Sequence, residues 1–329
     1  MYAPSYVLLR IITALEQVFP NESVDQWIKD AKVITLADDT LVLYSPYLSS
    51  HNQILTKCIP YMTDVVNHLL ECNVQLVIWG DQDLQENLCL ENHSTNDSNS
   101  IDTFEEYVIG DSNIHAVNLA HTVVNCQKPP LIIYGPSGVG KTHLLKAIKQ
   151  SINKSHPSKV VRYLTADRFT AELIWSLNQG TYESFIQQYH SIDALLIDDI
   201  HFLSGREATQ KELAKHIEYL YQNRKQVVMA SSCPPSKIPN LNDCLRIHLD
   251  SFDIAGIALP EFTILYEIAA RVSEKYRLPL DQSKLRYIAE SCPSNVRRLT
   301  GILKKLRAIY ELDTKELNIE NIDSVIRSY

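Results

Sequence analysis

The chain has 329 residues, enough for about two or three domains, with 45% apolar and 21% charged residues, ordinary for a globular protein. A formal net charge of −8 excludes a polyanion binder that uses its whole surface, so any nucleic-acid contact must come from a local basic patch. Seven scattered cysteines without a C-x-x-C pair argue against a disulfide framework or zinc site and for a reducing compartment; no basic leader and no long apolar run is present, so a cytoplasmic location without a transmembrane segment is expected.

Val7, Ile11, Leu15 and Phe19 recur every four residues, which predicts an amphipathic helix. Val24 to Ala31, containing Trp27, reads as a second short helix. Val33–Leu36 and Leu41–Tyr44 read as strands joined by a hairpin turn at Ala37–Thr40, and Pro46 ends the hairpin. A helix through Leu55, Ile59, Val65 and Leu69 follows, then a strand over Val74–Trp79. Residues 1–79 are thus a small α+β domain with nothing catalytic in it, and Trp27 and Trp79 are most simply core residues. Residues 80–102 are polar, acidic and aperiodic, the pattern of a flexible linker. His93 falls there as a solvated residue rather than a ligand.

From Thr103 the pattern alternates strand and helix. Pro130–Tyr134 is an apolar run suited to a buried strand. Gly135-Pro136-Ser137-Gly138-Val139-Gly140-Lys141-Thr142 then fits G-x-x-x-x-G-K-[ST], and from His143 onward Leu144, Leu145, Ile148 and Ile152 recur at helical spacing. Glycines let successive backbone N–H groups turn inward as an anion nest, and the helix start adds its positive end. Lys141 is expected to reach the β and γ phosphates of a nucleotide, and the Thr142 hydroxyl to ligate Mg²⁺.

Further strands are expected at Val160–Leu164, Ala194–Ile197 and Gln226–Ala230, with helices between them, including one near Gln210–Asn223. This predicts an α/β fold with a parallel sheet covered on both faces. The Ala194 strand runs into Asp198 and Asp199, where an open α/β sheet places its ligands. Asp198 is expected to hold Mg²⁺, directly or through water, and Asp199 to polarise the attacking water. Ser231 and Ser232 either face the γ-phosphate or are ordinary strand-end serines. After Pro260 the pattern is all helical, a separate lid over 260–329. In Ser294-Asn295-Val296-Arg297-Arg298 a polar cap opens a lid helix; its two arginines either fold over phosphates or are solvated.

Three stretches together carry a resemblance: Thr103-Phe104-Glu105-Glu106-Tyr107-Val108-Ile109-Gly110-Asp111-Ser112-Asn113 with the phosphate loop, Ala194 to Leu203 (ALLIDDIHFL), and Ser294 to Gly301 (SNVRRLTG). They resemble the bacterial DnaA family of replication initiators, AAA+ ATPases. The resemblance spans nearly the whole chain and implies a KH-like N-terminal interaction domain over 1–79, a variable linker over 80–102, a P-loop AAA+ base over 103–259 and the lid. It implies that Tyr107, Val108 and Ile109 pack around adenine and that Arg297 is the lid arginine, so ATP or ADP with Mg²⁺ would be the cofactors. It implies an initiator-specific insert over Arg168–Tyr189 that contributes to single-stranded DNA binding, with Ile174 and Arg206 in the channel.

Departures from the pattern matter equally. His248 falls where the family has its arginine finger, and a histidine is shorter, largely neutral at pH 7 and unable to make a bidentate contact. Arg246, two residues earlier, could partly substitute, although on a strand or helix it would face elsewhere. A second basic channel position is Ala208, and a helicase-contacting aromatic falls on Ser49. The family continues into a helix-turn-helix that reads DnaA-box duplex, whereas the resemblance here ends with the lid at Tyr329, so sequence-specific duplex binding is not expected.

The nucleotide site together with the resemblance therefore implies a slow, switch-like ATPase acting in replication initiation or its control, assembling on origin DNA with itself or a full-length initiator through residues 1–79 and its AAA+ faces. The rival is a nucleotide-dependent adaptor that inhibits or tethers initiators without catalysis. A helicase-loader relative ranks lower, because it should lack the N-terminal domain and linker.

Overall fold

The computed structural model describes residues 4–20, 24, 31–37, 40–45, 48, 51–70, 75–79, 102–124, 130–313 and 317–327. Trp27, the short helix expected after Val24, Ser49, the linker stretch 80–101 with His93, and the side chain of Trp79 lie outside them. The chain forms two compact units. One comprises Met1–Ser98, Ala166–Gln188 and Phe202–Thr209; the other comprises Asn99–Thr165, Tyr189–His201 and Gln210–Tyr329.

In the first unit, α1 (Pro4–Val18) and α2 (Asn52–Leu70) accompany a three-stranded sheet of β1 (Lys32–Ala37), β2 (Thr40–Tyr44) and β3 (Gln75–Trp79). β2 pairs antiparallel with β1 and parallel with β3. Val7, Ile11 and Leu15 are fully buried, as their spacing predicts. On α2 the fully buried stripe is Cys58, Met62 and Val66, with Ile59, Val65 and Leu69 partly buried or flanking it. Side chains alternate across a strand, so Leu41 and Leu43 of β2 enter this helical core while Val42 and Tyr44 point to the opposite face. There they meet Ala171, Ile174 and Trp175 of α5 (Ala166–Asn178), and Asn178 Nδ2 donates to the Tyr44 hydroxyl at 3.0 Å. Helix α6 (Tyr182–His190) follows, with Phe185 against Phe169.

The second unit is built on a five-stranded parallel sheet of β4 (Leu131–Tyr134), β5 (Val161–Thr165), β6 (Ala194–Asp198), β7 (Gln226–Ser231) and β8 (Asp253–Gly256), ordered β5-β6-β7-β4-β8. All five residues of β6 and all six of β7 are buried, which explains their unbroken apolar runs. Helices α3 (Ile114–Val124) and α4 (Lys141–Ser155) pack on the sheet through Ala116, Val117, Ala120, Leu144, Leu145 and Ile148. Helices α7 (Glu207–Gln222) and α8 (Asp243–Asp250) precede β7 and β8. The sequence gives no strand signal for β8, yet it pairs with β4 along Leu131–Tyr134.

The lid consists of α9 (Phe262–Lys275), α10 (Gln282–Glu290), α11 (Val296–Asp313) and α12 (Ile319–Arg327). Its own core of Leu265, Ala269, Ile288, Leu299, Leu303 and Ile322 makes it a separate packing layer. No helix among the described residues is long and apolar enough to cross a membrane.

Candidate nucleotide site

The loop between β4 and α4 takes its shape from three glycines. Gly138 (φ 79°) and Gly140 (φ 103°) are left-handed, a region that strains any residue with a Cβ. Gly135 has no room for a side chain, since a Cβ there would stand 2.3 Å from the Ile257 carbonyl oxygen. Gly140 caps α4, so the first helical residues after it are Lys141, Thr142 and His143. Lys141 is buried, and its Nζ donates to the Gly135 oxygen at 2.8 Å and the Pro136 oxygen at 2.9 Å. Burial lowers its pKa, while Asp199 and Asp198 pull the other way and Arg297 adds to the lowering. Ser137 and Val139 complete the turn, with Val139 buried in the core.

At the end of β6, the Thr142 hydroxyl donates to Asp198 Oδ2 at 2.6 Å, and the Tyr163 hydroxyl donates to the same oxygen at 3.3 Å. Asp198 Oδ1 accepts the Asp199 backbone N–H at 2.9 Å. Asp199 itself is left-handed (φ 56°), a conformation that costs a non-glycine residue about 1 kcal/mol and that aspartate tolerates better than most. The reversal starts a 3-10 turn, Ile200–Leu203, which carries His201. His201 Nδ1 accepts the Ser232 N–H at 3.3 Å and stands 3.9 Å from Asp199 Oδ1. Burial, then the Lys141 charge, lowers the His201 pKa to about 4, against an opposing pull from Asp198. Ser231 is fully buried and its hydroxyl accepts from the Cys233 amide at 3.3 Å, so it serves the turn after β7.

Lid and base meet at this loop. Asn295 Oδ1 accepts the Arg298 N–H at 2.9 Å, capping α11, and the Val296 N–H donates to the Gly138 carbonyl at 3.0 Å. That places Arg297, exposed, in the first turn of α11, with its Cβ 3.6 Å from where a Gly138 Cβ would be. On the other flank Tyr107 and Val108 are buried and Ile109 is half exposed. The Tyr107 ring meets His143 edge-on at 5.1 Å, burial pushes its phenol pKa up, and the ring stands over Gly140. Asn113 staples this turn by donating to the Val108 oxygen at 2.9 Å and accepting the Gly110 N–H at 3.0 Å. His143 Nε2 lies 3.1 Å from the Thr103 oxygen, which ties the start of the unit to α4.

Lys141, Thr142, Asp198 and Asp199 thus converge, with Arg297 above the loop. Asn113, Asn295 and His201 join them; the polar-cap reading of Ser294–Arg298 points to Asn295, while nothing in the spacing of Asn113 or His201 does. All three sit inside the stretches that carry the resemblance, which is the one signal that marks Asn113 and His201. Ile174 and Arg206 belong to the other compact unit. Ile174 is partly buried against Val42, Tyr44 and Val77, and Arg206 Nη1 donates to Asp167 Oδ1 at 2.8 Å. His248 lies on α8, whose Leu245 and Leu249 face the core while Arg246 and Ile247 are exposed.

A glycine-turned loop after a sheet strand, a carboxylate at the end of β6 bonded to the threonine that follows the loop and a helical lid bonded to the same loop place the chain among P-loop proteins of the AAA+ class. The family description "Bacterial DnaA ATPase domain" matches residues 98–254. The chromosomal replication initiator DnaA of Caldanaerobacter subterraneus subsp. tengcongensis is 32% identical over 327 residues, covering 94% of this chain and 73% of that protein. Domain III of the Thermotoga maritima initiator superposes with a TM-score of 0.68 at 31% identity, over 70% of this chain and 97% of that one. A structure of DnaA bound to AMPPCP and single-stranded DNA gives a TM-score of 0.61 at 28% identity, over 71% of this chain and 70% of that one. The chain belongs to the DnaA family of bacterial chromosomal replication initiators.

Proposed function

We propose that this protein binds ATP in the loop between β4 and α4 and uses the ATP and ADP forms as a switch in the initiation of chromosomal replication or its control. The observation that carries the reading is the bond between Thr142 and Asp198 beside a buried Lys141. Lys141 satisfies its charge on two loop carbonyls and is placed to exchange them for phosphate oxygens. The loop N–H groups, turned by Gly138 and Gly140, supply the rest of the cradle. Tyr107, Val108 and Ile109 border the base side.

The hydroxyl of Thr142 and the carboxylate of Asp198 are hard oxygen donors, a set that fits Mg²⁺, an ion that takes few protein ligands and completes its shell with phosphate and water. Bound there, the ion would neutralise charge on the phosphates. Asp199 is the residue in reach of an attacking water, and Arg297 reads the phosphates from the lid. Because Val296 bonds the loop directly, a change in loop occupancy has a short path to the lid.

Residues 1–79, 80–102, 103–259 and 260–329 are taken as interaction domain, linker, base and lid. Single-stranded DNA is a proposed partner because the AMPPCP-bound relative was captured with it. Ile174 and Arg206 are the candidate contacts, and Arg206 would have to trade its Asp167 partner for a phosphate. Self-association, or association with a longer initiator, is proposed through residues 1–79 and the AAA+ faces. A second reading, a nucleotide-dependent adaptor without catalysis, is favoured by one observation: the residue at the finger position on α8 is His248.

Calorimetry with ATP and ADP, phosphate release, and sedimentation in each nucleotide test both readings. The switch reading expects ATP binding, slow phosphate release and larger assemblies in ATP than in ADP. Binding without release selects the adaptor, and absence of nucleotide binding removes both.

A further inference from the structure

Asp199 sits on a turn, and a turn is a poor platform for a group that must hold a water. β6 ends at Asp198, and the left-handed Asp199 sends the chain into the 3-10 turn Ile200–Leu203. Among the described strands, β7 stands between β6 and β4, the strand that runs into the phosphate loop. Ser232 is the first residue past β7, and its amide points back at the turn.

We propose that His201 is a positioning residue that ties the end of β7 to the Asp199 turn by accepting the Ser232 N–H at Nδ1. The bond is 3.3 Å long, and the same nitrogen lies 3.9 Å from Asp199 Oδ1, so one ring touches both sides of the edge where the γ-phosphate would sit. An imidazole that accepts at Nδ1 carries its proton on Nε2. It is therefore neutral here, as burial and the nearby Lys141 charge favour. A neutral ring at 3.9 Å leaves the Asp199 carboxylate its full negative charge, whereas a cation would pair with it and blunt it as a base. The ring is mostly covered, its side chain 19% exposed, so its position is set by packing as well as by the bond. His201 acts through Asp199 and through β7, not on the nucleotide itself. This inference rests on the hydrolytic reading above.

Geometry supplies the test, because asparagine and glutamine place their acceptors differently. In His201→Asn, Oδ1 stands close to the position of Nδ1 and can accept the Ser232 N–H. In His201→Gln the side-chain amide reaches further, and in His201→Phe the shape remains without an acceptor. Single-turnover hydrolysis and nucleotide affinity are measured for the four proteins, together with amide hydrogen exchange at Ser232. The expected result is a rate within about threefold of wild type for His201→Asn, about tenfold or more below it for His201→Gln and His201→Phe, and nucleotide Kd within about threefold throughout. Ser232 should exchange slowly in wild type and His201→Asn and faster in the other two. A His201→Phe protein that keeps the wild-type rate, or Ser232 exchange that ignores the substitutions, overturns the inference. A wild type that binds ATP but releases no phosphate overturns the hydrolytic reading instead, and the exchange pattern still decides whether the tie exists.

Discussion

The nucleotide cradle and helix α8 belong to one unit and are built to opposite standards. In the cradle, Lys141 bonds two carbonyls, Thr142 bonds Asp198, Asp198 accepts the Asp199 amide, and Asn295 caps α11. On α8, Leu245 and Leu249 anchor the helix, and Arg246 and Ile247 are exposed, Ile247 to 69%. Arg246 reaches back to the Leu241 oxygen at 3.3 Å. These bonds all form within one chain, so the geometry of the proposed cradle is set by folding. In the proposed assembly, the outer face of α8 would act against a second molecule, so its chemistry would be set by assembly.

The largest effect should come from the cradle. Lys141→Ala removes two charge-assisted hydrogen bonds that the ammonium could transfer to phosphate, each worth about 1.5–3 kcal/mol, so ATP affinity should fall about 100-fold or more. Isothermal titration of both proteins measures it, and undiminished affinity would place the nucleotide elsewhere. Asp199→Asn comes next. It keeps the size of the side chain and removes its charge, and loss of a positioned base costs about 100-fold in rate. Single-turnover phosphate release should drop by that order while the Kd for ATP stays within about threefold, because Asp199 does not hold the loop. Equal rates in the two proteins would move the water-polarising role to another group.

How much of this was legible depends on how local each cause is. The loop could be read because strand, glycines and helix are contiguous over Leu131–Ser155. The metal-side carboxylate could be read because β6 is an unbroken apolar run ending in Asp198. Strand β8 escaped because four residues, Asp253–Gly256, carry no period of their own; they form a strand only because β4 offers an open edge. In the sequence, the α2 pattern runs through Leu55, Ile59, Val65 and Leu69; the Leu55 side chain lies outside the described ones, the other three are partly buried, and Cys58, Met62 and Val66 are the fully covered residues beside them. Cysteine and methionine are as apolar in a core as leucine, and a pattern scored on aliphatics alone rotates the stripe. His201 was the least legible, since its partner Ser232 lies 31 residues away and meets it only through strand pairing and a left-handed turn.

The smallest effect, and the one that separates the two regions most cleanly, should come from His248→Arg. Position 248 is on a helical surface and partly exposed, so the change should alter stability by no more than about 0.5 kcal/mol. Within one chain it should leave ATP affinity and single-turnover rate at low protein concentration as they were, because Lys141 bonds to Gly135 and Pro136, Thr142 to Asp198 and Asp198 to the Asp199 amide, all within the loop and the end of β6. A guanidinium is longer than an imidazole, permanently charged and able to bind phosphate oxygens in pairs. If two copies meet so that α8 of one faces the cradle of the other, the arginine adds charge where negative charge develops on the phosphates. The rate should then rise several-fold, and only as protein concentration rises. A histidine at that position would in that case be what keeps turnover slow in the assembly. A flat concentration profile for both proteins would mean that α8 does not meet a neighbour's nucleotide, leaving the cradle as a switch that is read by binding rather than by hydrolysis in trans.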